Sequence, residues 1–205
     1  MKDKRQQIME STLQLFAEKG YEGTSIRDIA EIASVNVAMV NYYFGSKEKL
    51  FEKIVEYKSV TTRLQLDEIA HDKTLTSIKK IEAVIDSFIE RLFTHRQFHR
   101  LIQQELILNQ REDLQCSIVN SLSPNAIIMK EIIMTGIKKG DFKKVDVELT
   151  IATLIGTINQ VLLSKKFCNR LMDKPDDYVP YEDVTFKSRV SDHLKQLMHA
   201  HLLNK

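Results

Sequence analysis

The chain has 205 residues, 43% of them hydrophobic and 28% charged, with a formal net charge of +2. That balance suits one large or two small folded domains with a buried core rather than a disordered chain. Six glycines and three prolines are too little punctuation for many short strands, and no run approaches the roughly eighteen apolar residues of a membrane span, so an all-α fold with no membrane partner is expected.

The opening "MKDKRQQIMEST" lacks the apolar stretch of a signal peptide. Cys116 and Cys168 stand far apart and outside any CxxC spacing, so a cytoplasmic protein with reduced thiols is expected. Residues 1–50 carry seven Lys and Arg against seven Asp and Glu. A nucleic-acid partner must therefore be argued from where the cations sit, not from their number.

Taken in order, Ile8, Thr12, Leu15 and Phe16 predict a first helix from about Asp3 to Lys19, closed by Gly20. A second begins at Thr24 or Ser25, where Ser25 and Asp28 form a capping-box-like pair, and it turns Ile26, Ile29, Ala30 and Ala33 to one side. After the break "ASVN", Asn36 is an N-cap for a third helix from Val37 to about Tyr43. Ser46 caps a fourth that carries Leu50, Phe51, Ile54 and Val55. Longer amphipathic helices are expected at about 60–71, 75–95, 97–120 (interrupted near "NQRED"), 124–139, 146–172 and 184–203. "GDF" at 140–142 and "DKPDDYVPYED" at 173–183 mark breaks between them.

Two short helices joined by a turn of about three or four residues fit a helix-turn-helix, whose second helix enters the major groove. The pattern also fits a small helical subdomain with no partner. Two cations favour the first reading. Arg27 lies in the first turn of the second helix and Lys47 at the first position of the fourth. Each sits at the positive end of a helix macrodipole, at a cost of about 0.3–1 kcal/mol when exposed. A phosphate docked at each helix start would turn both into complementary charges, with the hydroxyls of Thr24, Ser25 and Ser46 as further donors. On the third helix, Val40 and Phe44 share a face with Val37 and are expected to pack inward with Val35. Ala38, Asn41 and Tyr42 then point outward or sideways, with Tyr43 near the helix end. Ala38 is small enough to approach a thymine methyl, and Asn41 has the groups to read an adenine edge. Tyrosine hydroxyls are neutral donors for phosphate oxygens; packing against the scaffold is the alternative for one of the two.

The stretch "GTSIRDIAEIASVNVAMVNYYFGSKEKLF", preceded by "IMESTLQLFAEKGYEGTS", resembles the DNA-binding head of TetR-type transcriptional repressors over residues 6–54. The shared elements are a glycine-aromatic turn, Thr/Ser-x-x-x-Ile-Ala, a small-residue turn, an aromatic pair with Phe, and a Gly-Ser-Lys-Glu turn before Leu-Phe. The resemblance implies that Thr24, Ser25 and Arg27 contact the backbone or a base. It further implies that Val37, Ala38, Asn41 and Tyr42 face the groove, and that Tyr43 and Lys47 hold phosphate. Ser34 stands where many members carry glycine. Val37, Ala38 and Met39 offer the reading helix little hydrogen bonding, which shifts weight to phosphate contacts and DNA shape.

Members of that family are all-helical, with a divergent C-terminal domain that binds a small effector and forms a dimer. The implied division is a helix-turn-helix domain at 1–46, with a linking helix from 47, and an effector-binding and dimerisation domain at 47–205. "NAIIMKEIIMTGIKKGDFKKVDVELTIATLIGTINQVLLS" resembles the family's closing section. The helix expected at about 146–172 is apolar around most of its circumference and needs cover on every side. Its Ile151, Ile155, Gly156, Ile158 and Leu162, with Val190, Leu194 and Leu197 of the last helix, are the expected twofold interface of a four-helix bundle. Completion of a monomer core is the alternative. Phe88, Leu92, Ile102, Leu106, Met129, Ile133 and Asn159 are candidates to line an effector cavity, though the same residue types build plain core. A lipophilic or aromatic effector suits that lining. His95 and His99 share a helix face without an evident third ligand, so no metal and no cofactor is expected. Without a nucleophile-base pair, a phosphate-cradling glycine loop or paired carboxylates, no enzyme is expected either.

The expected function is a homodimeric, ligand-responsive repressor that binds a palindromic operator in double-stranded DNA. The alternatives are a helical small-molecule-binding protein that has lost operator recognition, and an activator of the same type.

Overall fold

The computed structural model describes residues 3–108 and 111–204. Among these the chain is helical, with no strand, and forms α1 (Lys4–Lys19), α2 (Ile26–Ile32), α3 (Val37–Phe44), α4 (Lys47–His71), α5 (Ser77–Thr94), α6 (Arg96–Leu108), α7 (Glu112–Lys139), α8 (Val147–Leu163), α9 (Lys165–Leu171) and α10 (Val184–Leu202). A single 3-10 turn, Pro180–Glu182, precedes α10.

Local chemistry sets most of the starts. The side chains of Asp3, Ser25, Asn36, Thr76, Asp146 and Asp183 each accept a hydrogen bond from a backbone N–H in the first turn that follows, satisfying donors a helix leaves open. Three expected boundaries differ. Residues 60–71 do not form a separate helix but continue α4, because nothing near Lys58 breaks the backbone ladder. The expected stop before residue 124 is absent, and Pro124 lies inside α7. A proline in a helix frees carbonyls one turn back, and here the hydroxyl of Ser59 on α4 donates to Ser121 O. Conversely, the single helix expected over 146–172 is two, α8 and α9, parted at Ser164 (φ −116°, ψ 69°). The interruption expected at "NQRED" falls between α6 and α7, and Asn109 and Gln110 lie outside the described residues.

By packing, the chain divides into two compact units. The first is Met1–Thr62 with Gln97–Ser123, and the second is Arg63–Arg96 with Pro124–Lys205. In the first unit, Ile8, Leu15, Phe16, Ile29, Val40, Phe44, Leu50, Phe51 and Ile54 form one apolar cluster with Leu101, Ile102, Leu114 and Ile118. Its centre is aromatic: Phe51 meets Phe16 edge-on at 5.6 Å and Tyr21 at 5.5 Å, and Phe98 packs on Phe51 at 6.3 Å. The first unit thus includes two segments of chain, and the expected boundary at 46/47 falls within it.

The second unit is built on α5 and α10 running antiparallel. Ile81, Val84, Ile85, Ile89 and Leu92 of α5 share one apolar cluster with Phe186, Val190, Leu194 and Met198 of α10. A polar seam flanks it. Lys187 pairs with Glu90, Ser191 and Lys195 both bond Asp86 at 2.7 Å, and His199 lies 2.7 Å from Glu82. Four-residue steps on both helices produce this register.

Candidate nucleic-acid interface

The head is assembled from short-range chemistry. Ser25 caps α2 by accepting from Asp28 N at 3.1 Å, and Asp28 accepts from Ser25 N at 2.8 Å. Hydrogen bonds from Ser25 hold the Asp28 carboxyl down to about 2, below the usual carboxylate range. The turn after α2 is closed by Val35 N donating to Ala30 O at 2.9 Å, and Gln7 of α1 reaches across to bond Ala33 O at 2.8 Å. Asn36 accepts from Met39 N at 2.7 Å and starts α3. Gly45, with φ +77°, stops it while donating to Asn41 O at 2.8 Å.

Within that turn Ser34 adopts φ +51°, a left-handed conformation that costs a non-glycine residue roughly 1–2 kcal/mol. Glycine adopts it freely but has more unfolded-state entropy to lose. Ser34→Gly is therefore expected to stabilise the protein by about 0.5–1 kcal/mol, read as a higher urea midpoint at unchanged m-value. A lower midpoint would mean that the serine hydroxyl stabilises the turn by more than its backbone costs.

On α3, Val40 and Phe44 are buried in the apolar cluster, whereas Ala38, Asn41 and Tyr42 are exposed, Tyr42 to 84%. Tyr43 is 37% exposed, its ring 5.4 Å from that of Tyr42. Spacing placed Val37 inward with Val40; the structure leaves it 38% exposed, on the outward side with Ala38. Val35 packs against the cluster, as expected. Arg27 is exposed on α2.

Of the expected donors, Thr24 and Lys47 already donate within the chain, and the Ser46 hydroxyl oxygen serves as a cap. Thr24 is buried, and its hydroxyl donates to Gly20 O at 2.8 Å. Ser46 accepts from Lys49 N at 3.1 Å as the cap of α4. The Lys47 ammonium donates to Tyr21 O at 2.9 Å and Thr24 O at 3.1 Å and lies 4.1 Å from the centre of the Tyr21 ring. Its position at the wrong end of a helix is thus compensated from within. The carbonyls of the α1–α2 turn point at it, without any need for an outside anion.

Sequence reasoning missed the other side of Tyr21. Arg111 Cζ lies 4.3 Å from the centre of that ring. Arg111 also donates to both carboxylate oxygens of Glu105, at 3.1 and 2.5 Å, and to Glu22 at 2.5 Å. Burial opposes the Arg111 charge, but hydrogen bonds and charges from Glu105 and Glu22 outweigh it and hold the guanidinium above its ordinary pKa. Burial pushes the Tyr21 phenol up to about 12. The available signal was Glu105 itself, one turn after Leu101 on the apolar stripe of α6.

The expected effector residues divide between the units. Leu92 and Ile133 are buried in the second unit's cluster, and Phe88 and Met129 pack against it. Asn159 is half-buried on α8. Ile102 and Leu106 do not join them: they pack in the first unit's cluster, because the apolar stripe of α6 is buried there. Of the expected dimer residues, Ile151, Ile158, Val190 and Leu194 are buried in the core of their own unit, with Ile158 at 1% and Leu194 at 0% exposure. Ile155 and Leu197 are half-buried against that core, and Gly156 is exposed. The side chain of Leu162 lies outside the described ones. Among the described residues no single helix is long and apolar enough to cross a membrane, and no three His, Cys, Asp or Glu side chains gather as a metal would require.

Comparison with known proteins agrees with this architecture. The probable HTH-type transcriptional regulator YttP of Bacillus subtilis is 33% identical over 107 residues, a match that spans 51% of this chain and about half, 51%, of YttP. The HTH-type transcriptional repressor NicS of Pseudomonas putida is 28% identical over 157 residues, covering 74% of this chain and 71% of NicS. Among solved structures, the transcriptional regulator FadR from Bacillus subtilis in complex with stearoyl-CoA superposes with a TM-score of 0.75 at 22% identity, covering 94% of this chain and 96% of that one. Residues 8–54 match the pattern of the family described as "Bacterial regulatory proteins, tetR family", and residues 51–175 match "YsiA-like protein, C-terminal region". From its capped helix-turn-helix to its YsiA-like second half, the chain belongs to the TetR family of transcriptional regulators.

Proposed function

We propose that this regulator is a repressor that binds a palindromic operator as a dimer and leaves it when a lipophilic small molecule occupies the second unit. The observation that carries the proposal is the division of α3. An eight-residue helix buries Val40 and Phe44 and turns Ala38, Asn41 and Tyr42 to solvent. Exposing a tyrosine pair beside a reading residue gains nothing for a fold alone; on DNA it supplies an adenine reader and two phosphate donors. Arg27 on α2 remains as the exposed cation of the motif, with Val37 at the groove edge. Ser25 has its backbone cap to maintain, and Lys47 and Thr24 act from behind by fixing the turn that orients α2.

The sign of regulation is supported by NicS, which is named a repressor. A lipophilic effector is supported by the apolar surroundings of Phe88, Leu92, Met129 and Ile133, and by the stearoyl-CoA bound to the FadR neighbour. For the dimer, we assign the outward faces of the same two helices first considered. Leu149 (65% exposed), Ala152 and Gly156 on α8, with Ser188, Asp192 and Gln196 on α10, are free to meet a second copy. Effector binding would favour a dimer whose heads no longer span both half-sites.

Footprinting on a palindrome from the protein's own promoter region tests this. Two protected half-sites with centres about 34–36 Å apart, or a multiple of it, are expected. Asn41→Ala should relax preference at one base pair by about 1–3 kcal/mol. Arg27→Ala should weaken all duplexes alike and lower the salt slope by about one. Binding no tighter than to random duplex would sink the proposal.

A further inference from the structure

Helix α5 has two flanks beside its buried stripe. One carries the acidic row Glu82, Asp86 and Glu90, each paired with α10. Arg91 lies on the other, three residues after Phe88 and seven after Val84, out of reach of those carboxylates. Its Nη1 is buried, and among the described residues none offers it an acceptor. The guanidinium lies over the Phe88 ring, Cζ 5.2 Å from the centre. Burial pulls its pKa down to about 10, with no opposite charge entering the balance.

Several other cations of this unit have partners. Lys187 and Lys195 have carboxylates, Lys80 has the carbonyl of Ala70, and Arg96 lies 3.5 Å from the centre of the Tyr181 ring. Arg91 receives partial compensation from the carbonyl end of α5 and from the face of Phe88. Neither replaces the hydrogen bonds that a buried guanidinium N–H loses on leaving water.

We infer that Arg91 receives the anionic group of the effector, so that the ligand class is an apolar body ending in a carboxylate or a phosphate, with the half-buried Phe88 against the apolar part. The inference rests on the reading of the second unit as the effector-binding one. A planar guanidinium matches either oxyanion with two parallel hydrogen bonds, and its apolar neighbours favour an amphipath over a free inorganic ion.

The test uses the whole chain and three twelve-carbon probes, dodecanoate, dodecyl phosphate and dodecan-1-ol, followed by tyrosine fluorescence and thermal shift. At least one charged probe should bind wild type roughly ten- to a hundredfold more tightly than the alcohol. Whichever charged probe wins identifies a carboxylate or a phosphate source. Arg91→Met should abolish that ratio and leave alcohol binding unchanged, while Arg91→Lys keeps part of it. Without ligand, Arg91→Met should melt at or above wild type, since it removes an incompletely compensated charge. Three results would overturn the inference: equal binding of charged and neutral probes by wild type, an unchanged ratio in Arg91→Met, or a clearly lower melting temperature in that variant. Release from operator DNA is scored separately. If the charged preference holds in direct titration but no probe releases DNA, the effector-release reading fails and the role of Arg91 stands.

Discussion

Replacing Arg111 by methionine is expected to cost the first unit about 2–4 kcal/mol of stability. Its bidentate partner Glu105 has a side chain only 8% exposed, and among the described contacts Arg111 is the cation that matches it. Removing the guanidinium strands a carboxylate where water reaches poorly, and the usual penalty for breaking a buried pair is about 3–5 kcal/mol. The lower figure allows for Arg111 being 25% exposed. Glu22, 77% exposed, should matter far less, at about 0.2–1 kcal/mol. The double variant Arg111→Met with Glu105→Leu should recover most of the loss, since two well-packed apolar groups replace a buried pair at little net cost. Calorimetry with urea unfolding reads all four proteins. A loss below about 1 kcal/mol in the single variant would show that Glu105 is hydrated after all. The effect should also reach DNA. Arg111 and Lys47 both rest on Tyr21, and Lys47 holds the carbonyls of the turn before α2. A loosened Tyr21 should weaken specific and non-specific duplexes together.

Gly136→Ala is the second large effect, at about 1–3 kcal/mol. A Cβ at residue 136 would stand 2.2 Å from Cδ2 and 2.4 Å from Cε2 of Phe142, far inside contact distance. The ring has little freedom to move aside. Phe142 is buried in the second unit's core, and the amides of Asp141 and Phe142 donate to Gly136 O at 3.0 and 3.2 Å, folding the turn back over the glycine. Glycine inside a helix costs about 1 kcal/mol relative to alanine, so the substitution gains that much and loses more to the clash. Gly136→Ala combined with Phe142→Leu should restore part of the stability, while Phe142→Leu alone lowers it. If Gly136→Ala proves neutral, the ring shifts freely and the close packing is not a constraint.

What could be read from the chain in advance was local. Ser25 with Asp28, Asn36 before Val37 and Gly45 after Phe44 act over three or four residues, and the structure has them as capping box, cap and stop. Periodicity found the buried faces of α1 and α2 for the same reason. It could not say which apolar stripe meets which. Ile102 and Leu106 have the same spacing whether they face Phe51 or Ile133, and the intervening chain carries no periodic record of the choice. Lys47 shows the same limit in polar terms. Its clash with the helix dipole was visible in sequence, but the carbonyls that resolve it are 23 and 26 residues away. Val37 was placed inward because a three-residue step to Val40 is compatible with one face, and its 38% exposure shows that the face of so short a helix is narrow. Glu105 and Arg91 were each visible as a charge on or beside an apolar stripe, a violation of pattern whose partner no local rule supplies. That partner is six residues away for Glu105 and, on the inference above, outside the chain for Arg91.

The discontinuity of the first unit bears on how such regulators can evolve. Leu101, Ile102, Leu114 and Ile118 share a core with α1 to α4, although they are encoded after the whole of α5. A recombination event that exchanged only the codons of the reading head would bring a new α3 onto a foreign set of these residues, and onto an Arg111 and Glu105 fitted to another Tyr21. If Ala38, Asn41 and Tyr42 read the operator as proposed, new preferences are easier to reach by point changes there, which face solvent and leave that shared core alone, than by trading heads as cassettes.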